Sequence, residues 1–380
     1  MQTPQTQASL NRARLLLEDG RSEAARAVLD GIQVDTNAQQ RDVAYLLGWY
    51  YIASGQWNDA TQTLSPLLAQ NTLEDAQETL LERERLAMYL LRLGQTAVNL
   101  AHYEDASQHF LRCLKLLRDR RIQLPTIRIE ARYSLAMTYV MRGSYVVAIQ
   151  HYDDALRLCR HYELDEALPH IYYGLSEAYR CLGNFPKAHE AGREALRIYQ
   201  ERGDEPLQSR IYILLGRISL LLGDYTAALN YYTSSYILAV RNSKHKMIMI
   251  SCMALAEVHA EQGNMSEAKK YAHSALEVST QIDDTYLCGM VSATLGRMTL
   301  AEARSTPDTE RERLFDEGIS WLQKSVLQLK PTQAFKDLAQ TYISLATVFE
   351  EVARPLEALA YWKLAYREKD EAKKIPCAQM

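Results

Sequence analysis

Residues 212–236 read YILLGRISLLLGDYTAALNYYTSSY. Apolar side chains recur every three or four positions on both sides of Gly223, the pattern of two amphipathic helices. Gly223, with Asp224 and Tyr225 after it, has the composition of a tight turn between them. Three other stretches align with this one without gaps: 133–156 (YSLAMTYVMRGSYVVAIQHYDDAL), 172–196 (YYGLSEAYRCLGNFPKAHEAGREAL) and 252–276 (CMALAEVHAEQGNMSEAKKYAHSAL). Their turn glycines, Gly143, Gly183, Gly223 and Gly263, are 40 residues apart each time. A fixed period of that size marks a repeat array, in which one unit alone cannot bury its apolar face.

The register extends outward. Gly55 with Trp57, Ala101 with Tyr103, and Arg354 with Pro355 stand at equivalent turns. Three positions after the turn aromatic a small residue recurs as Ala60, Ala106, Ala148, Ala188, Ala228, Ala268 and Ala358. A second small site, seven further on, holds Ala155, Ala195, Ser235, Ala275 and Ala365. Small side chains at both sites predict that the two helices of a pair cross closely. The chain start carries Gly20 and Ala25 in the same register, so residues 1–36 form a short leading unit. Regular units follow over 37–302. Leu295 and Gly296, then Gly318 and Ser325, carry the pattern across residues 303–314, whose polar sequence is read as an inserted loop. The final units occupy 315–368, and 369–380 is a tail that begins as helix and frays. The expectation is one all-α solenoid of about nine helix-turn-helix units over 1–380.

Composition agrees with this. Only 16 Gly and 10 Pro occur in 380 residues, too few for long β-meanders or disordered linkers. Hydrophobic residues make up 47%, enough for a continuous core. The net charge of -4 argues against a general nucleic-acid binder, which needs a basic stripe. The six cysteines, Cys113, Cys159, Cys181, Cys252, Cys288 and Cys377, form no C-x-x-C pair and read as reduced thiols. The first residues lack a basic segment followed by an apolar one, so no signal peptide is indicated. No run approaches the roughly 18 apolar residues of a membrane span. The expected compartment is the cytoplasm.

Leu215, Gly216, Gly223, Tyr225, Ala228 and Tyr232 resemble the tetratricopeptide repeat, with Leu-Gly in the first helix, Gly-x-Tyr at the turn and Ala with an aromatic in the second. The resemblance covers essentially the whole chain. It implies a right-handed superhelical solenoid whose first helices line the concave face. Two departures stand out. The family unit has 34 residues against 40 here, which predicts longer helices. The usual proline at the unit end is missing as well. The longer unit resembles the arrays of kinesin light chains, of the Leu-Gly-Asn polarity adaptors and of bacterial peptide-sensing regulators.

Chemistry is not evident. The chain lacks G-x-x-x-x-G-K-[ST], G-x-G-x-x-G, H-E-x-x-H and G-x-S-x-G. His161 and His170 flank a loop with Glu163, Asp165 and Glu166, which reads as solvated polar sequence rather than a metal site. Asp283 and Asp284 read as a loop pair, and Trp321 and Trp362 as packing residues. No cofactor, metal or catalytic residue is assigned.

Binding residues follow from the register. The position after the Leu-Gly pair holds Trp49, Gln95, Met137, Glu177, Arg217, Glu257, Arg297 and Thr347. One turn earlier come Tyr45, Leu91, Tyr133, Tyr173, Ile213 and Met253. Glu130, His170, Arg180 and Arg210 are expected to face the same groove. The run Glu177, Arg217, Glu257, Arg297 alternates in sign, one residue per unit. Such a ladder either neutralises itself or contacts the backbone and charges of a bound peptide, with Tyr133 and Tyr173 as aromatic anchors. The Lys and Asn set of the family's chaperone-tail clamps is absent from these positions. A second patch, Arg118, Arg120, Arg121 and Arg128, continues a basic stretch that includes Arg112, Lys115 and Arg132. It reads as helix C-terminal cations with a solvated loop, as a dock for an acidic partner, or less readily as a nucleic-acid contact.

The leading expectation is a non-enzymatic adaptor that holds a partner's peptide or helix in the groove. The alternative is a signal-peptide-sensing regulator that compacts on binding and acts through a partner protein. An enzyme, such as a phosphatase acting on a response regulator, is the least supported. Tyr361, Trp362 and Tyr366 in the last helix leave room for a homodimer.

Overall fold

The computed structural model describes residues 4–69, 80–279, 281–282, 284–332 and 334–374. Asp283, Cys377 and the tail beyond 374 lie outside the described residues. Eighteen α-helices and a short 3-10 turn (Lys330–Thr332) account for the regular structure among them. Contacts divide the chain into two compact units, Met1–Ala167 and Leu168–Met380, where the sequence predicts one array.

The first unit holds four helix pairs: α1 (Pro4–Glu18) with α2 (Ser22–Asp30), α3 (Asn37–Ala53) with α4 (Trp57–Ala69), α5 (Leu80–Asn99) with α6 (Tyr103–Leu116), and α7 (Pro125–Met141) with α8 (Tyr145–Tyr162). The second holds five: α9 (Leu168–Cys181) with α10 (Phe185–Glu201), α11 (Glu205–Leu221) with α12 (Tyr225–Arg241), α13 (His245–Glu261) with α14 (Met265–Ser279), α15 (Thr285–Ser305) with α16 (Asp308–Leu329), and α17 (Phe335–Glu351) with α18 (Pro355–Lys374). The nine pairs match the nine units read from the register.

The turn within a pair is built as the glycines require. Gly223 has φ +78, a left-handed conformation that costs an L side chain energy. The Gly223 amide donates to the Leu220 carbonyl at 3.0 Å and the Asp224 amide to Ser219 at 2.9 Å, which closes the end of α11. The Asp224 carboxylate then accepts from the Ala227 amide at 2.9 Å and caps α12. Ala101 and Ala353 adopt the same left-handed backbone without being glycine. The turn before α18 is therefore centred on Ala353, one residue ahead of the Arg354 expected from the sequence.

Close helix crossing explains the small residues. Ala60, Ala106, Ala148, Ala188, Ala228 and Ala268 are fully buried, as are Ala155, Ala195, Ser235 and Ala275. A methyl group on Gly216 would sit 2.5 Å from the Tyr232 ring, and one on Gly94 2.5 Å from Phe110. The glycine of the first helix thus admits the aromatic of the second. Where a polar atom enters such a notch, it is bonded. The Ser235 hydroxyl lies 3.0 Å from that of Ser209 and accepts from Ser251 at 3.0 Å, joining α11, α12 and α13.

Within each unit the first helices also meet across pairs: α1 with α3, α3 with α5 and α5 with α7, then α9 with α11, α11 with α13, α13 with α15 and α15 with α17. They form a continuous wall in each unit. Among the described residues the second helices pair with no comparable neighbour of their own kind.

Two sequence expectations change. Residues 303–314 are not a loop. Helix α15 runs to Ser305 and α16 starts at Asp308, leaving Thr306 and Pro307 as the link. The added residues (Ala, Glu and Arg among them) are strong helix formers and lengthen both helices of the pair. Trp362 is 38% exposed and donates its indole N–H to Glu350 at 2.8 Å, so it is not a core residue. Trp321 packs at the edge of the cluster around Leu295 and Met298. Cys113, Cys159 and Cys252 are buried free thiols, and Cys181 and Cys288 are half-buried free thiols. Burial pushes the Cys113 and Cys252 thiols up to about 12.

Two glycine variants separate the two constraints. Gly216→Ala must displace Tyr232 and is expected to destabilise the second unit by about 1–3 kcal/mol. Gly183→Ala meets no atom within 4 Å and is expected to cost only the left-handed backbone term, about 1 kcal/mol. Denaturant melts followed by circular dichroism check both. Equal losses would contradict the close-approach argument.

Candidate functional site

Residues on the first-helix wall of the second unit come from five helices, α9 to α17. Each helix turns its apolar side to its own pair and its neighbours, which leaves one polar stripe per helix. The position after the Leu-Gly pair lies on that stripe as expected. Arg217 and Glu257 are exposed, and Glu177 and Arg297 are half-buried. The position one turn earlier does not behave uniformly. Ile213 is buried, as are Tyr45 and Leu91 in the first unit. Tyr133, Tyr173 and Met253, at the same position of other units, are half-buried.

The alternating ladder forms only in part. Arg297 donates to Glu257 at 3.0 Å, bridging α15 and α13. Glu177 instead accepts from Arg180 on its own helix at 2.5 and 2.9 Å. An i,i+3 spacing places those groups side by side, and the intrahelical pair wins over a partner one unit away. Arg217 is consequently left exposed, and among the described residues it makes no hydrogen bond or ion pair.

The aromatic anchor is already capped. The Arg210 guanidinium sits 5.6 Å from the centre of the Tyr173 ring. Burial raises the Tyr173 hydroxyl above its ordinary value, against the pull of Arg210. The His170 Nδ1 lies 3.2 Å from the Tyr199 hydroxyl, which ties it to α10. Tyr133 belongs to α7 of the first unit, so it stands apart from the other predicted groove residues in the division of the chain.

A groove of about 480 Å³ opens on the same wall across α13, α15 and α17. Glu257, Glu261, Arg297, Asp337 and Gln340 supply its polar lining, with Met290 and Met298 as apolar surface. Tyr286 donates its hydroxyl to Asp337 at 3.1 Å. Burial pushes the Asp337 carboxyl up, opposed by that hydrogen bond and by Lys336 and Arg297. Tyr286 itself is pushed up to about 12, by burial first and then by Asp337. Sequence reasoning missed Tyr286 and Asp337. Tyr286 and Asp337 lie in the first turns of α15 and α17, well before Arg297 and Thr347, the register positions from which the groove is read.

The wall of the first unit carries a different network, which the sequence reading did not find. Arg92 is 8% exposed and its guanidinium lies 4.2 Å over the Trp49 ring. It donates to Gln95 at 2.9 Å and Glu130 at 3.3 Å, and Gln95 donates to Glu130 at 2.7 Å. Burial opposes this charge, but Glu130 restores it. The ion pair and the stacked ring join α3, α5 and α7, although the Arg92 Nε is buried without an acceptor.

The predicted second patch is divided. Arg121 turns to Asp119, with hydrogen bonds of 3.1 and 2.7 Å, and so neutralises itself. Arg118, Arg120 and Arg128 instead line a cavity among α6, α7 and α8. Among the described residues no three His, Cys, Asp or Glu side chains cluster as a metal site, and no helix is long and apolar enough to cross a membrane.

The Glu257–Arg297 pair is about a third to a half exposed, so solvent screens it. A double-mutant cycle of Glu257→Gln and Arg297→Gln is expected to give a coupling of about 0.2–1 kcal/mol in unfolding free energy. A coupling near zero would mean that the two groups stay independent. Tyr286→Phe removes the bond that stabilises charged Asp337, so the carboxyl should titrate at still higher pH by NMR; an unchanged titration would contradict the bond.

Comparison with known proteins bears on the whole fold. Tetratricopeptide repeat models match residues 6–30, 128–201 and 173–239. No curated protein matches the chain in sequence. Among solved structures, the apo form of RapI is similar with a TM-score of 0.71 at 15% identity, over 98% of this chain and 99% of that one. A Rap protein complexed with competence and sporulation factor gives 0.68 at 12% identity, over 97% and 99%. The apo form of the quorum sensor NprR from B. thuringiensis gives 0.70 at 14% identity, over 96% and 98%. At such identities these likenesses speak to the fold. With nine helix pairs, their turn glycines and their small-residue crossings in place, the chain carries tetratricopeptide repeats over residues 6–30 and 128–239.

Proposed function

We propose that this chain is a non-catalytic binding protein that holds a peptide segment of a partner against the first-helix wall of its second unit. The observation that carries the reading is Arg217, an exposed guanidinium on α11 whose expected carboxylate partners are engaged elsewhere. An Arg so placed can grip a carboxylate bidentately. Beyond it, the groove across α13 to α17 offers both hydrogen-bonding groups and methionine surface. Three helix spacings of roughly 10 Å separate α11 from α17, so an extended segment of about nine residues at ~3.3 Å each would span them. The ligand is an extended peptide with an acidic group, or a free C-terminus, near one end.

A second reading has specific support. Solved structures of similar fold include a complex with competence and sporulation factor, and a Rap conjugation gene regulator in complex with the Phr* peptide at a TM-score of 0.58. This chain would then be a peptide-sensing regulator that compacts on binding and acts through another protein. A wall of first helices, each touching the next, can tighten by small shifts repeated at every contact.

Affinity capture from native extract tests the first reading. Wild type is expected to retain a partner that an Arg217→Glu, Arg297→Glu variant releases, with circular dichroism unchanged between the two. Equal retention would sink the groove as the site. A peptide excised from the captured partner then separates the readings by small-angle scattering. A smaller radius of gyration on peptide binding favours the regulator, and an unchanged radius favours the adaptor.

A further inference from the structure

The cavity among α6, α7 and α8 of the first unit has about 880 Å³, the size of a small-molecule site. It lies on the second-helix side of the unit, between α6 and α8, and is floored by the start of α7. Six cations line it: Lys115, Arg118 and Arg120 from the end of α6 and its loop, Arg128 and Arg132 from α7, and Arg157 from α8. The one carboxylate in the lining is Asp154, which is shared by Arg132 at 3.2 Å and by Arg157. Arg128 is held at the Tyr162 hydroxyl at 3.0 Å and at the Leu117 carbonyl. Among the described residues Lys115, Arg118 and Arg120 have no carboxylate partner, and the Arg132 Nε is buried without an acceptor.

Such a concentration is unfavourable by itself. The Arg132 guanidinium is held below its ordinary value by burial; Asp154 opposes this, and Arg118, Arg128 and Arg157 add to it. His151, 3.3 Å from Arg132, is held below its ordinary value by burial and by Arg132, so it stays neutral at neutral pH and can accept as well as donate. The chain as a whole is acidic, so this is a local arrangement and not a general basic surface. Charges packed this way are relieved by a ligand that brings several negative charges into one small volume.

We infer that this cavity binds a small molecule carrying two or more phosphoryl groups. Guanidinium forks match phosphoryl oxygens bidentately, and five arginines, from α7, α8 and the loop after α6, converge here. An acidic peptide fits less well. Its same-side carboxylates are about 6.6 Å apart along an extended chain, so few would enter one cavity. Nucleic acid calls for a longer stripe than a single compact patch. Leu111, Leu114 and Leu158 line the same space and would pack against the organic part of the ligand. The site is in a different unit from the peptide wall and does not depend on that reading.

Calorimetry with the full chain and sodium tripolyphosphate tests the assignment. Wild type is expected to bind one tripolyphosphate, with affinity falling as salt rises. An Arg118→Ala, Arg157→Ala variant, with both side chains exposed, should stay folded and bind about tenfold or more weakly. An Arg193→Ala, Arg197→Ala variant on the exposed side of α10 should bind as wild type does. ATP bound as tightly as tripolyphosphate places recognition in the phosphate chain, and ATP bound more tightly adds the leucine surface. Absence of binding by wild type at low salt, or equal loss in both variants, would overturn the proposal. So would tighter binding of an oligoglutamate peptide or of a single-stranded oligonucleotide.

Discussion

The structure depends on how closely the two helices of each pair can approach. Gly216 faces the Tyr232 ring, and Gly94 faces Phe110, at distances that no side chain on the glycine would allow. The alanines of the second helices complete the notch and are fully buried. Close approach sets the tilt of each pair, and the tilt sets where the next pair packs. Stability in such an array is a sum of units and of the interfaces between neighbours, so the same notch must recur in every unit. Ser209, Ser235 and Ser251 show that small size outranks polarity there, provided each hydroxyl finds a partner.

The wall of first helices is a product of that packing, and its charges are arranged by reach. Glu177 has an arginine three residues away on its own helix and takes it. Glu257 has none so placed and bridges to the next unit. The outcome is asymmetric: one closed rung, one intrahelical pair and one exposed arginine. The alternating four are neutral in sum, but Arg180 takes up Glu177, so the wall presents an uncompensated cation at Arg217. In the first unit the equivalent wall is closed by Arg92, Glu130 and Gln95 over Trp49, a network with little left to offer a ligand. The two units therefore differ in chemistry although they share one repeat.

The basic cavity illustrates the same logic on the other side of the helix layer. Its cations come from the end of one second helix, the start of a first helix and the middle of the next second helix. None of these helices is unusual alone, since cations near a helix C-terminus complement its dipole. Their convergence is what produces an excess of charge, and a single aspartate cannot balance it.

Helix pairs, turns and small buried sites are legible in the spacing of residues along the chain. The 40-residue period, the turn glycines and the alanine register are local properties, and each is read from spacing alone. The same spacing places Arg217, Glu257 and Arg297 on one stripe. Which charges meet is set by packing in three dimensions. Whether Glu177 bonds to Arg180 or across to α11 depends on side-chain reach in three dimensions, and period-40 alignment treats both alike. Tyr286 and Asp337 escaped notice because they lie in the first turns of α15 and α17, away from the register position read for the groove, while packing brings α17 beside α15. Arg121 and Arg118 are equivalent in a charge run, yet one turns back to Asp119 and the other faces the cavity. Periodicity fixes which face of a helix a residue occupies; the partner it finds there is set by the neighbouring helix.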